Sequence, residues 1–291
     1  MTTKLPFHAN TKFATMCDTL EETHARLLAN QRRIKSLEDQ QRHVGEHEPE
    51  TFEEIGREIE RVSQRRDNDA DSYQHQSRIV ASIRNWLLQV PASAVLEDAS
   101  RVASDEVSDS ETVDQGVVRC REDIERQKSV RAHVARSVPP LGDLHAAAAA
   151  YVEALAVRGR PRVSISSGQL TVRAAVIESV GNIGGARARD ENALAVAAWL
   201  HPEAVVERLR EQIDEVHAAE VRRGMLVMTT AERDRRLAEL DEDILRLERL
   251  EEFYVDVGAQ YGLAVERRSD ADPRAVLGVT MRRPQRQQRA A

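Results

Sequence analysis

TFEEIGREIERVSQRRDNDADSYQHQSRIVASIRNWLLQV, residues 51–90, carries apolar side chains at a three-and-four spacing along its whole length. Phe52, Ile55, Ile59, Val62, Tyr73, Val80, Ile83, Leu87 and Val90 keep the ladder, and Arg66, Asp69 and Gln76 interrupt it. A stripe this long predicts one amphipathic helix with a coiled-coil-like seam, roughly 60 Å long at 1.5 Å per residue.

Working outward from that helix, residues 1–12 read as irregular, with Pro6 early, and a shorter helix is expected over 13–44. Its stripe is Leu20, Leu27 and Ile34 with Leu37 and Val44. Thr19 to Glu22 and Thr51 to Glu54 both match a capping box. Gly45 and Pro49 break the chain between the two helices, so residues 1–90 are expected to form an antiparallel hairpin. The second helix is the longer and should project past the first from Ile79 to Val90. Its stripe there, Ile83 and Leu87 with Trp86 alongside, is the candidate partner contact, to be covered by the C-terminal half of the chain or by another chain.

Pro91 ends the helix. Residues 91–111 are rich in Ser, Asp and Glu and read as an acidic, weakly ordered linker. From 112 to 279 the expectation is a mainly helical domain. A helix over 112–138 aligns Val113, Val117, Cys120, Ile124, Val134 and Val138, and another covers 142–157. The alternating runs 162–166 and 169–173 around Ser167-Gly168 predict a β-hairpin, with Leu263-Ala264-Val265 as a candidate third strand. Helices then follow over 190–200, from Pro202 to about Gly224, and from Thr230 to Val257, the last two paired as a second hairpin over 202–257. Residues 280–291 read as a basic disordered tail, where Arg282, Arg283, Arg286 and Arg289 are candidate nucleic-acid contacts.

The composition narrows the function classes. The 291 residues are 41% hydrophobic, 31% charged and 3% aromatic, with a net charge of −7. Few aromatics argue against base-stacking surfaces, and the acidic balance opposes long-range steering to DNA or anionic lipid. Cys17 and Cys120 stand far apart outside any CxxC motif, so a disulfide framework is not expected, and a cytoplasmic setting without a membrane span is. His43 and His47 are four apart but in the order His-Val-Gly-Glu-His, which breaks the zinc-helix pattern. Gly181 to Gly185 fits no phosphate loop, and His24 and His75 read as exposed. No catalytic, cofactor-binding or metal-ligating residue is assigned, and no cofactor is expected.

Three stretches resemble uncharacterised helical proteins encoded by tailed phages and prophages of proteobacteria. They are Gly159-Arg160-Pro161-Arg162-Val163 with Leu170-Thr171-Val172-Arg173, the charged leucine-rich helix 231–253, and Arg267-Arg268-Ser269-Asp270-Ala271-Asp272-Pro273-Arg274-Ala275-Val276-Leu277-Gly278. The first 140 residues lie outside the resemblance, which implies a setting in virion assembly or a neighbouring phage process and transfers no catalytic residue. The expectation is therefore a mainly α, elongated protein built of long antiparallel helical hairpins with a small β-hairpin insert. It would be a non-enzymatic structural, assembly or interaction protein that meets protein partners, or itself, through helical seams. The alternative is a nucleic-acid-associated accessory protein using the Arg-rich tail.

Overall fold

The computed structural model describes residues 5–45, 48–99, 111–173, 177–178, 189–190 and 193–282. The chain is mainly α-helical with small antiparallel β pairings. It divides into two compact units, Met1–Gln127 with Glu242–Ala291, and Lys128–Asp241. This partition differs from the segmentation expected at residues 90 and 112, because the end of the chain joins the N-terminal hairpin in one unit.

In the first unit, helices α1 (Phe7–Val44) and α2 (Pro49–Gln89) form the expected hairpin. Near the turn, Ile34 and Leu37 pack with Val62, Ile55 and Ile59. Midway, where the stripe is polar, Asn30 donates to Asp69 at 2.8 Å and the exposed His24 ring stacks on Tyr73 at 4.9 Å. Asp69 is therefore matched across the seam, whereas Arg66 bonds Asp67 on its own helix and the buried Gln76 side-chain carbonyl has no hydrogen-bond partner among the described residues.

The N-terminal expectation is corrected in one respect. Helix α1 starts at Phe7, directly after Pro6, a position where a missing backbone N–H costs no helical bond. Thr19 is consequently mid-helix, and its hydroxyl donates to the Thr15 carbonyl rather than capping. At the start of α2, Thr51 donates to the Glu48 carboxylate, and Pro49 occupies the first turn.

The added turns place Ala9 beside Phe13 and Met16 at the far end of the hairpin. There they share a cluster with Ile79, Ile83, Trp86 and Leu87 and with the C-terminal Val276, Leu277 and Val279. Val276 ends α8 (Pro273–Val276), Leu277 is its C-cap, and Val279 opens a strand at Val279–Arg282. The Asp272 side chain accepts from the Arg274 N–H to cap α8, and Gly278, at φ +62°, supplies the left-handed turn into the strand. That strand pairs antiparallel with β1 (Val95–Asp98), Leu96 opposite Met281. Two expectations are thereby corrected. The linker 91–111 contains a strand, and the tail read as unanchored from Thr280 is paired as far as Arg282. The reason is a partner distant in sequence, which local composition does not reveal.

Helices α3 (Val113–Ala135) and α7 (Thr230–Gln260) contribute to both units. In the first unit, Val117 and Cys120 of α3 pack on Leu250 and Tyr254 of α7, with Val265 against them. A Cβ on Gly116 would overlap the Tyr254 ring, so the helices approach through a glycine. Residues 263–265, expected as a strand, are irregular because Val265 is used in this cluster.

In the second unit, α4 (Leu141–Gly159), α5 (Ala193–Leu200) and α6 (Pro202–Arg222) pack together around Val152, Leu155, Ala195 and Ala198. Val205, Val206 and Leu209 of α6 face that cluster. The expected pairing of α6 with α7 over 202–257 is therefore replaced: α6 packs on α4 and α5, whereas α7 packs on α3. A Cβ on Gly159 would overlap the Ala195 carbonyl, which fixes how closely α4 meets α5. His145 of α4 reaches Asp214 of α6 at 2.7 Å.

The predicted hairpin is present as β2 (Arg162–Ser166) and β3 (Gln169–Arg173), turning at Ser167 and Gly168, both at positive φ. A short pairing of β4 (Ile177–Glu178) with β5 (Arg189–Asp190) follows, and the strand at Val279–Arg282 is β6. Helix α7 opens on a reciprocal capping box: the Thr229 N–H donates to Glu232 at 2.9 Å, and the Glu232 N–H donates to the Thr229 hydroxyl at 3.2 Å.

Candidate functional site

The densest chemistry lies along one face of α7. Glu248, Glu252 and Asp256 are spaced by four residues with Glu251 beside them, so all four project to one side of the helix. Glu248, Glu251 and Glu252 are buried. Gly262, at positive φ, turns the chain after α7, and the segment that follows supplies cations. Arg268 meets Glu248 and Glu251 at 2.8 Å each and Asp270 at 2.9 Å. Arg267 meets Glu252 at 2.8 Å and Asp256 at 3.2 Å.

Helices from elsewhere in the unit complete the network. Lys12 of α1 reaches Glu252 at 2.8 Å and Asp256 at 2.6 Å. Arg121 of α3 pairs with Glu251 at 2.7 Å and donates to the Glu266 carbonyl. His75 of α2 lies 2.6 Å from the Arg267 carbonyl and is half-buried, against the expectation of exposure. The network ties α1, α2, α3, α7 and the C-terminal segment together.

Its electrostatics are those of a clamp. Burial pushes the Glu252 carboxyl above the ordinary range, opposed by Lys12 and Arg267. The carboxylates around Arg268 hold its guanidinium above its usual value despite burial. Nearby, Arg119 and the Tyr254 hydroxyl hold Glu111 below the ordinary carboxylate range, at 2.9 Å and 2.8 Å. Every one of these carboxylates is engaged by a cation or a donor, so the arrangement orders the chain. Sequence reading quoted Arg267 and Arg268 only within the resemblance. The facing carboxylates were not singled out in the sequence, although their spacing at 248, 252 and 256 puts them on one helix face.

The remaining candidates fall as follows. Burial raises the Cys120 thiol to about 11, which keeps it protonated at neutral pH. Arg84 approaches the Cys17 sulfur at 3.7 Å. His43 lines an open depression along α1 with Arg32, Lys35 and Asp39, and His47 lies outside the described residues. Among the described residues, no group of three His, Cys, Asp or Glu is placed to hold a metal. No helix among them is long and apolar enough to cross a membrane.

Of the candidate partner contacts, Ile83 is covered within the chain, and Trp86 and Leu87 are half-buried against the same cluster. Ile83 is 1% exposed beneath Val276, Leu277 and Val279, so the expectation of cover is met by the C-terminal segment and the partner role for Ile83 is corrected. Of the tail arginines, Arg282 ends β6 with an exposed side chain 3.7 Å from Glu97, while Arg283, Arg286 and Arg289 lie outside the described residues.

Unburied apolar side chains concentrate instead in Lys128–Asp241. They include Tyr151 and Val157 of α4, Trp199 and Leu200 of α5, Val216 of α6, and the aliphatics of β2 and β3. No protein-family model, curated protein or solved structure matches the chain.

Proposed function

We propose that this chain is a non-enzymatic helical protein of structural or assembly type that works through contacts with other proteins, in a cytoplasmic, phage-related setting. The observation that supports the reading is the distribution of apolar surface. Soluble chains rarely leave large aliphatic and aromatic side chains together in water unless another surface covers them. Here Trp199, Leu200, Val157 and Val216 are exposed on the same helices that build the small α4–α5–α6 core. The phage setting rests on the resemblance of the segments at 159–173, 231–253 and 267–278.

A nucleic-acid role through the tail is the weaker reading, because the one described tail arginine, Arg282, stands beside Glu97. The test is site-specific photo-cross-linking in the cells that make the protein. A photoreactive side chain at Trp199 or Leu200 should give discrete protein adducts, and one at the exposed Gln31 of α1 should give none. Absence of adducts at Trp199 and Leu200 overturns the reading.

A further inference from the structure

We infer that the β2–β3 hairpin is a docking arm whose partner is a strand of another protein that alternates aliphatic and acidic side chains. The inference rests on the interaction reading above and deepens it. The register puts Val163 opposite Val172 and Ile165 opposite Leu170, alternating with Arg162–Arg173, Ser164–Thr171 and Ser166–Gln169. Side chains alternate between faces along a strand. One face is therefore wholly aliphatic and the other is arginine, hydroxyl and amide.

Both faces are in water. Val163, Ile165, Leu170 and Val172 are 58–77% exposed, and every residue of both strands is exposed. A lone two-stranded hairpin is marginally stable at best, and the face that would normally give it a core has no cover among the described residues.

Charge selects the occupant. Arg158, Arg160, Arg162 and Arg173 surround the arm, and no acid occurs between Arg158 and Arg173, in a chain whose net charge is −7. Arg162 and Arg173 stand directly opposite each other, a like-charge pair that is destabilising until a carboxylate joins it. Duplex DNA would take the arginine face and leave the aliphatic face in water. A bilayer entered tip first would bury Ser166, Ser167, Gly168 and Gln169, whose polar groups have no partners in hydrocarbon. A second copy of the arm brings more arginine and no acid. A strand of another protein added at an edge of this two-stranded sheet, alternating aliphatic and acidic side chains, continues the aliphatic face and sets carboxylates beside the arginines of the other.

The test uses the full chain and three fluorescent 14-residue peptides, read by anisotropy. One alternates Glu with Val and Leu, the second replaces Glu by Lys, and the third replaces Val and Leu by Ser. The Glu–aliphatic peptide should bind at least about tenfold tighter than either control. Ile165→Thr with Leu170→Thr keeps strand propensity and should weaken binding about tenfold, with the thermal melt unchanged. Arg162→Gln with Arg173→Gln should weaken it several-fold and reduce its salt dependence.

Equal binding of the Lys peptide, or binding unaffected by either double substitution, overturns the inference. So does hairpin-dependent binding of a 20-base-pair duplex or of phosphatidylglycerol vesicles without peptide binding, or a concentration-dependent dimer abolished by the Thr pair. If the peptide result fails while cross-links at Trp199 persist, the hairpin assignment alone falls. If the cross-links vanish as well, the interaction reading beneath it falls too.

Discussion

The two units of this chain treat their side chains in opposite ways. In Met1–Gln127 with Glu242–Ala291, most apolar side chains cover one another, with Phe7, Leu88 and Tyr261 among the exceptions, and carboxylates are buried against arginines and a lysine. In Lys128–Asp241, a small core of alanine, valine and leucine carries helices and a hairpin whose outer aliphatics stay in water. Under the proposed interaction role, the uncovered aliphatics of the second unit are the surface a protein partner would cover. The difference lies in connectivity more than in composition. The first unit gains the chain's last segment, which arrives with both apolar and cationic side chains and closes one end of the α1–α2 hairpin.

The comparison breaks first at isoleucine. Ile83→Asp puts a carboxylate among Ala9, Val276, Leu277 and Val279 and should cost about 4 kcal/mol or more, seen as loss of the cooperative melt. The same change at Ile165, 77% exposed, should stay within about 0.5 kcal/mol. Similar losses at the two sites would remove the distinction between the units.

Arg268→Met comes next. It leaves Glu248 and Glu251 buried with weakened compensation and should cost about 3 kcal/mol in urea titration. A neutral result would show that the clamp is dispensable.

Gly159→Ala tests whether the second unit has a core worth disturbing. The new methyl meets the Ala195 backbone, which cannot rotate aside, so a loss of about 2 kcal/mol is expected with faster amide exchange in α5. Tolerance would mean that α4 and α5 are not held at this distance in solution.

The smallest effect is a slope. Because burial raises the Glu252 carboxyl, the folded chain holds that proton more tightly than the unfolded one. The group's contribution is therefore full below its ordinary value of 4.5 and is lost as pH rises through the raised folded value. Glu252→Gln keeps Lys12 and Arg267 paired with Asp256 and should flatten that part of the stability–pH curve. Glu111 has the opposite sign: its lowered value gives a contribution present above 4.5 and lost as pH falls through the folded value. A Glu252→Gln chain whose pH curve overlays that of the parent would place the carboxyl outside the buried network.

Helices and turns were legible in the sequence because their signals are local. The ladder over 51–90 and the alternation around Ser167-Gly168 each act within a few residues, and each has its element in the structure, whereas the capping boxes read at Thr19 and Thr51 are not formed. What covers each apolar stripe was not legible. Burial of apolar surface is favourable without direction, so a stripe states that a face is buried and not against what. Val205 and Leu209 would have suited α7 as well as the α4–α5 surface they face. Ile83 waited for Val276 and Val279 from the far end of the chain, and Glu248 to Glu252 for Lys12, Arg121, Arg267 and Arg268. By itself, the sequence determined the long helices and the β2–β3 hairpin, but not the β1–β6 pairing. Only the tertiary structure decided which faces were satisfied internally and which, as on β2 and β3, were left in water, because that choice depends on groups brought together from positions far apart in the chain.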